Sequence, residues 1–359
     1  DDLWDKHGLE LARTMWRRSA AVRYGVSMRQ YAAVSTGWDI HPHAKEEQHQ
    51  KVRDEVEWAL DEMDGAFVET INSINDALVT GFSVHEPEWS MPAEHGDYRG
   101  MQYIRKLHQI PAHTLDFDMD VHGRIERFRQ DPESGHGDVY WEPAELVYYP
   151  VDARDSNPFG NSPLRTAYRY YFIQDQVILE WANYLERYGR PVPIIKYDDS
   201  REGVGGTVTK ANKERALTIA KELRRNTYAA MPKGWDLNLS NPNHYANAAL
   251  YTKLIDECES GILRSLLLPE LLGSTAEGGG GAYALGKEHS DQFIWVLNVD
   301  RQRLEEVINK QIIKPIVEQR HGPGTPCPRF QFKPFHEENM GEVLDWIKTG
   351  LESGMKIPA

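Results

Sequence analysis

The sequence predicts an α+β fold that contains several long helices. Apolar residues recur at helical spacing in several segments, most clearly over residues 163–188. Between residues 82 and 150 the pattern changes to the alternation typical of strands, where Leu115, Phe117 and Met119 alternate with aspartates. Hydrophobic residues make up 40% of the chain and charged residues 27%, which is typical of a folded protein rather than a disordered one.

Composition excludes several classes of protein. The 359 residues suffice for two or three domains. A formal charge of −14 argues against a protein that coats nucleic acid by neutralising phosphates. Only two cysteines occur, which excludes a disulfide scaffold and a four-cysteine zinc site and favours a reducing compartment. No apolar stretch approaches the roughly 20 residues that cross a bilayer, and no signal peptide is visible, so we expect no membrane association.

The N-terminal part is predicted to contain helices followed by strands. The first forty residues predict one helix and then a short strand at Trp38-Asp39-Ile40. Two helices follow, separated at Gly65, and Gly81 is the expected C-cap of the second. The expected strands after that point cover residues 115–119, 125–128 and 146–149.

The clearest single element is a helix over residues 163–188. Ser162 is a good N-cap and Pro163 suits the first helical position, while Gly189 and the prolines after it end the helix. Its length is roughly 40 Å at the α-helical rise. Its aromatic residues lie on more than one face, so it needs several neighbours, from its own chain or from another.

The C-terminal half is predicted to be mainly helical. A Gly-rich segment over residues 273–286 cannot pack a core. The expected elements are a strand at 192–197, a helix at 210–226, a hairpin within 228–239, a helix at 243–268, a helix at 288–319 with a kink at Pro315, a strand at 330–332 and a helix at 338–353.

One glycine-rich motif has the spacing of a phosphate-binding loop. Residues 281–287 fit the first seven positions of GxxxxGK. The eighth position must be Ser or Thr to bind Mg²⁺, but position 288 is Glu, and the segment before the motif is a Leu-rich helix rather than a buried strand. We favour a loop that binds no nucleotide, with a nucleotide-binding enzyme as the alternative.

Two further clusters resemble incomplete metal sites: Asp116, Asp118, Asp120 and Gly123 in one, and His41, His43 and His49 in the other. The first lacks the glycine position and the bidentate glutamate of a calcium loop, and the second lacks ligand spacing on a helix. We favour a strand with its turn and a solvated helix start. We predict no metal, no cofactor and no catalytic residues.

Several segments resemble one family and occur along the chain in the order that the family shows. They are Asn157-Pro-Phe-Gly-Asn-Ser-Pro-Leu-Arg165, Trp181-Ala-Asn-Tyr-Leu-Glu-Arg-Tyr-Gly-Arg-Pro191, residues 29–40, residues 76–89, the Gly-rich segment before a long helix, and Phe330-Gln-Phe332. Together they are similar to the portal proteins of tailed bacteriophages, in the Mu-type branch. Pro87 is unusual for that pattern. The chain is also short for the family, so we expect that a long C-terminal crown helix region is either absent or lies outside this sequence.

The resemblance implies a portal-like fold with an α+β wing, a long helical stem, a small α/β clip, a Gly-rich tunnel loop and a long kinked helix. The implied parts are the wing at 1–161, the first stem helix at 162–189, the clip at 190–241, the second stem helix at 242–272, the tunnel loop at 273–290, and the long kinked helix that returns to the wing at 291–359.

The resemblance also implies a structural function rather than an enzymatic one. Such proteins form a ring, usually of twelve subunits, at one capsid vertex, and double-stranded DNA passes through its channel during packaging and ejection. The implied partners are the terminase large subunit, head-completion or adaptor proteins, the major capsid protein and a scaffold. The implied location is the virion, with assembly in the host cytoplasm. Another oligomeric virion adaptor is a further alternative.

Three residue sets follow from the resemblance. The DNA-facing tunnel loop is expected to include Ser274, Thr275, Glu277, Gly278, Gly279, Gly280, Gly281, Tyr283 and Lys287. The stem helix that joins subunits is expected to use Tyr171, Gln174, Ile178, Trp181, Tyr184 and Tyr188. The clip surface for partners is expected to include Asp198, Asp199, Arg201, Lys210 and Lys213.

Overall fold

The computed structural model describes residues 6–94, 98–131, 137–188, 192–196, 213–219, 221, 236–240, 245–268 and 282–335. The chain divides into two compact units. The first spans residues 1–171 and 260–359, and the second spans residues 172–259. The mixture of helices and strands confirms the α+β class.

The first unit begins with five helices: α1 (Lys6–Arg18), α2 (Ala20–Val34), α3 (Glu47–Asp61), α4 (Phe67–Asn75) and the short α5 (Ala77–Thr80). The prediction of one N-terminal helix is wrong, because Ser19 separates two. Its hydroxyl accepts a hydrogen bond from the N–H of Val22 at 3.3 Å and caps α2. Gly81 ends α5 at φ 96°, which confirms the predicted C-cap.

Antiparallel sheets complete the first unit. The strands are β1 (Trp38–His41), β2 (Phe82–Trp89), β3 (Ile104–Ile110), β4 (Leu115–Met119), β5 (Ile125–Gln130), β6 (Val139–Trp141), β7 (Val147–Pro150) and β10 (Arg329–Phe332). Strand order is β3-β2-β7 in one sheet and β4-β5-β6 in another, and β1 pairs with β10. Trp38 lies opposite Phe332 in this last pair, so the two ends of the unit are joined.

A long helical segment crosses the first unit. It consists of α8 (Ala282–Val307), a π-helical stretch (Ile308–Ile313) and α9 (Lys314–His321). The N–H of Lys314 bonds the carbonyl of Asn309, five residues earlier. Pro315 has no N–H for the carbonyl of Gln311, so a break in the α-helical ladder is expected here. The irregularity that the sequence placed at Pro315 therefore occurs just before it.

Side-chain amides in the π-helical stretch hold two strand edges. Asn309 accepts from the N–H of Phe330 at 2.8 Å and donates to its carbonyl at 3.0 Å. Gln311 does the same for Tyr148, at 2.7 and 2.9 Å. Each side-chain amide thus makes the two hydrogen bonds that a neighbouring strand would make. The backbone N–H and carbonyl groups of Phe330 and Tyr148 at the strand edges therefore have partners.

In the second unit, two strands pair between the ends of two long helices. The helices are α6 (Leu164–Tyr188) and α7 (Tyr245–Ser265), each of which begins or ends in the first unit. The strands are β8 (Val192–Lys196) and β9 (Asp236–Ser240), which are antiparallel with Val192 opposite Ser240. Residues 213–219 are helical. β9 pairs with β8. Residues 228–235 of the predicted hairpin lie outside the described residues, so the hairpin stays a prediction.

Candidate functional site on the long helices

The start of α6 is fixed by the Asn-Pro-Phe-Gly-Asn-Ser segment. The Ser162 hydroxyl lies 2.8 Å from the carbonyls of Leu78 and Val79 and accepts from the N–H of Leu164 at 3.1 Å. This confirms the predicted N-cap. Gly160 has φ 59°, and a Cβ there would lie 2.2 Å from the carbonyl oxygen of Gly81. Only glycine permits this backbone crossing, and it anchors α6 to the end of α5.

In the first unit, α6 and α7 touch at a glycine. A Cβ on Gly261 would lie 2.5 Å from the ring of Tyr170, so the aromatic ring rests directly on the backbone of α7. Gly25 of α2 has a similar role, because a Cβ there would lie 2.4 Å from Leu266. Neither glycine was predicted from the sequence to make such a contact. An isolated glycine inside a helical pattern is the signal that points to such close packing.

In the second unit, the two helices are joined by a polar contact. Gln174 is buried, and its amide donates to Glu259 Oε1 at 3.0 Å. Burial raises the pKa of the Glu259 carboxyl, and the Gln174 hydrogen bond opposes that shift. Gln174, which the sequence assigned to subunit contact, therefore faces its own chain.

Among the other residues of the predicted stem set, some pack within their own chain and some are exposed to solvent. The ring of Tyr184 lies 5.6 Å from that of Tyr251 on α7, and Trp181 is half-buried. Tyr171, which belongs to the first unit, is half-buried and packs against its hydrophobic core. Ile178 is 45% exposed. The side chain of Tyr188 lies outside the described residues.

The solvent-facing side of α6 in the second unit is rich in apolar residues. Leu179 is 56% exposed and lies about 140° around the helix from Gln174. Phe172, seven residues before Leu179, is exposed on the same side of α6. Ile173 and Leu185 on other sides of α6 are exposed too, as are Leu250 and Leu254 on α7. Exposed apolar residues that gather on one element mark a surface that contacts another protein.

The long helix α8 also has an apolar outer face. Trp295 is 68% exposed and Val299 is 46% exposed, one turn apart. The opposite face is buried and includes Phe293, Leu297 and Leu304. Such a helix buries one side in its own unit and leaves a large aromatic residue for a second contact.

Most of the predicted tunnel loop lies outside the described residues, including Ser274, Thr275, Glu277 and Gly278 to Gly281. Tyr283 and Lys287 belong to α8, and their side chains also lie outside the described set. The expectation of a loop as far as residue 290 is corrected, because α8 begins at Ala282. Residues 282–287 are therefore helical, which does not fit a GxxxxGK loop whose backbone N–H groups must wrap a phosphate.

The predicted clip surface is described at one residue. Lys213 is exposed on the helical residues 213–219. Asp198, Asp199, Arg201 and Lys210 lie outside the described residues.

The incomplete metal motifs form ordinary structure. Asp116 pairs with Arg129 across β4 and β5, and the Asp120 carboxylate accepts from the N–H groups of His122 and Arg124 in the turn. His49 lies 3.1 Å from Glu46. Within the described ranges, no group of three or more His, Cys, Asp or Glu side chains is placed to hold a metal ion.

No helix in the described part of the chain has the length and apolarity to cross a membrane.

Comparison with known proteins decides the family. The model of the family described as the portal protein of Mu bacteriophage matches residues 9–359. The chain belongs to this family.

Two curated relatives agree with that membership. The portal family member is 23% identical to the Mu-like prophage FluMu protein gp29 of Haemophilus influenzae, over 97% of this chain and 64% of that protein. It is also 23% identical to the portal protein of Escherichia phage Mu, over 97% of this chain and 65% of that protein. The chain thus spans just under two thirds of the length of these relatives.

Solved structures show the same fold. One is a chain from the virion of a native gene transfer agent particle, with a TM-score of 0.62 and 12% identity over 97% of this chain and 91% of that one. Another is from the neck of a native gene transfer agent particle computed with C12 symmetry, with a TM-score of 0.58 and 12% identity over 96% of this chain and 90% of that one. The portal-like fold expected from the sequence is confirmed.

Proposed function

We propose that this portal family member forms a closed ring of twelve subunits at one capsid vertex, through which double-stranded DNA enters and leaves the particle. The observation that carries the proposal is the family match over residues 9–359. The similar fold in a particle neck computed with C12 symmetry supports the subunit number. The protein acts as a structural conduit and not as an enzyme.

Subunit contact is proposed on the apolar outer faces of the long helices. In a cyclic ring each subunit uses two different surfaces, one for each neighbour. Leu179 on α6 and Trp295 on α8 are exposed and apolar, and each lies on the opposite side of its helix from the residues buried in its own unit. A neighbouring copy that covers them would remove this apolar surface from water.

Passage of DNA is proposed along residues 273–290. The expected residues before Ala282 would face the channel together with Tyr283 and Lys287 in the first turns of α8. A net charge of −14 suits a conduit, because a strongly basic lining would hold phosphates and slow the sliding of the duplex.

The remaining roles follow the family. Residues 190–241 would form the clip that meets the terminase large subunit and later the head-completion or adaptor proteins. The α+β part up to residue 161 would form the wing, next to the major capsid protein and a scaffold. The protein would assemble in the host cytoplasm and remain in the virion.

Native mass spectrometry and electron microscopy of the purified protein test the proposal. We expect a ring that shows, end-on, a channel about 20–40 Å wide, which the duplex dimensions require, and no ATP hydrolysis by this chain alone. A protein that stays monomeric at high concentration would contradict the ring. Hydrolysis of ATP that is lost in Lys287→Ala would instead support a nucleotide-using enzyme.

A further inference from the structure

The first two helices carry a concentrated positive charge on an otherwise acidic chain. Residues 6–34 contain six basic residues, of which Arg29 is paired with Asp300, and one acidic residue, Glu10, whereas the whole chain has a net charge of −14. Arg17 and Arg18 lie in the last turn of α1 and are exposed, and Arg23 is exposed near the start of α2. These three arginines and the half-buried Arg13 are called the basic face below.

Arg13, Arg17 and the guanidinium of Arg23 lie along one side of α1, and Arg18 is about 100° around the helix from Arg17. Arg13 and Arg17 are one turn apart on α1, and neighbours at this spacing have Cβ atoms about 5–6 Å apart. The pKa of Arg13 is lowered mainly by burial and further by the positive charge of Arg17, while Asp76 opposes the shift. The guanidinium of Arg23 lies 5.6 Å from the ring centre of Trp16, which places it beside the last turn of α1.

Folding alone does not account for this cluster. Among the described residues, no carboxylate lies within ion-pair distance of Arg17, Arg18 or Arg23. The C-terminal dipole of α1 favours cations in its last turn, but the first turn of α2 disfavours one, and like charges one turn apart repel each other. Arg23 therefore adds charge where the helix itself does not stabilise it.

We propose that the basic face binds the phosphate backbone of duplex DNA without sequence preference, on a surface separate from the channel. A duplex carries one negative charge per about 3.4 Å along each strand, so a row of guanidinium groups meets phosphates in any register. The guanidinium fork also matches phosphate oxygens in pairs. If the proposed ring forms, each subunit repeats the face, and weak single contacts add up to strong binding.

The experiment measures binding of the 359-residue protein to a closed circular duplex, which cannot thread a preassembled ring. Fluorescence anisotropy is followed from 50 to 300 mM NaCl. The test variant is R17Q/R18Q/R23Q, and the control variant R99Q/K106Q/R124Q removes the same charge from three other exposed residues. Size-exclusion chromatography and thermal melting verify assembly and folding. If the triple variant does not fold, the double variant R17Q/R18Q replaces it, because it keeps the Arg23–Trp16 contact.

The binding constant falls as salt rises, and we expect this dependence of log K on log salt to become shallower. Its slope should decrease in magnitude by about 2 to 3 in the triple variant and by about 2 in the double variant, because each phosphate contact contributes about 0.9. The control variant should keep the wild-type slope. Equal losses in test and control variants, or an unchanged slope, overturn the proposal. If the triple variant loses the ring but binds DNA as the wild type does, the proposal is also overturned, and the basic face is then a protein contact. If the wild-type protein forms no ring, the proposed function fails, while the slope comparison still decides the role of the basic face on single subunits.

Discussion

Arg29 and Asp300 form a buried ion pair between helices α2 and α8, 271 residues apart in the chain. Arg29 Nη2 lies 2.7 and 2.9 Å from the two carboxylate oxygens, and its Nε lies 3.1 Å from one of them. The side chains are 6% and 2% exposed. Arg29 Nη1 also lies 3.4 Å from the carbonyl of Leu266, so this guanidinium connects α2, α8 and the end of α7.

Removal of one partner of this pair should strongly destabilise the first unit. Asp300→Ala leaves a buried guanidinium without its carboxylate, and such a change costs about 3–5 kcal/mol. Chemical denaturation should show this loss in the free energy of unfolding. The double variant Arg29→Met/Asp300→Leu should recover most of it, because no charge then remains buried. Glu306→Ala, which breaks the exposed pair with Lys310, should cost less than about 1 kcal/mol.

Gly261→Ala should destabilise the protein although alanine is the better helix former. The new methyl group would lie 2.5 Å from the Tyr170 ring, and forced overpacking of this kind costs about 1–3 kcal/mol. Thermal melting measures the loss, and Gly261→Ala should cost less in a Tyr170→Ala background than in the wild-type protein. Gly137→Ala is the matched control, because nothing lies within 4 Å of the added Cβ. Equal melting temperatures for Gly261→Ala and the wild type would contradict the close contact.

The buried His85 should make the protein sensitive to acid. Burial lowers its pKa to about 4 from an ordinary 6.5, although a hydrogen bond with the backbone of Ser73 opposes the shift. Its Nε2 also lies 2.9 Å from the Ser73 hydroxyl. As the pH falls from 6.5 to 4, the unfolded chain takes up a proton that the folded chain does not, so stability decreases over this window by about 3 kcal/mol in total. Below pH 4 this contribution changes no further.

Denaturation curves at several pH values test the role of His85. His85→Gln should remove this part of the pH dependence while other groups keep theirs. His122→Gln, at an exposed turn, should keep the wild-type curve. A variant at position 85 with an unchanged pH profile would show that the imidazole is not the group that takes up the proton.

Leu179→Glu should block ring assembly without unfolding the subunit. Leu179 is 56% exposed, so the substitution should change the free energy of unfolding by less than about 0.5 kcal/mol. A carboxylate buried against a neighbouring copy is unfavourable unless it is paired. We expect the assembled fraction in native mass spectra to fall at least about tenfold, since each ring would contain many such sites. Thr166→Glu adds the same charge at an exposed position of α6 about 140° around the helix from Leu179, and should leave the ring intact.

Local patterns in the sequence predicted many of the elements. The cap at Ser162, the C-cap at Gly81 and the strand at residues 115–119 depend on neighbours only a few positions away, and each is confirmed. The predicted helix over residues 163–188 agrees with α6 to within one residue. The family resemblance likewise came from short segments in the right order, and the family match confirms it.

Local patterns did not predict contacts between residues that are far apart in the chain. The sequence indicated that α6 needs several neighbours but not which face meets which one. The resemblance implied a subunit contact for Gln174, whereas its amide bonds Glu259 of the same chain, and the rest of the stem set stays a prediction. The start of α8 at Ala282 was also missed, because the glycines before it conceal the helical spacing.

The amino-acid sequence by itself determined the α+β class, the long helices, their caps and the family, because these follow from periodicity and from short-range backbone geometry. Only the tertiary structure decided that Arg29 reaches Asp300, that Gly261 receives the ring of Tyr170, and that Leu179 and Trp295 remain exposed. Residues far apart in the chain meet through packing, and hydrophobic attraction has no direction, so no local pattern specifies which side chains come into contact.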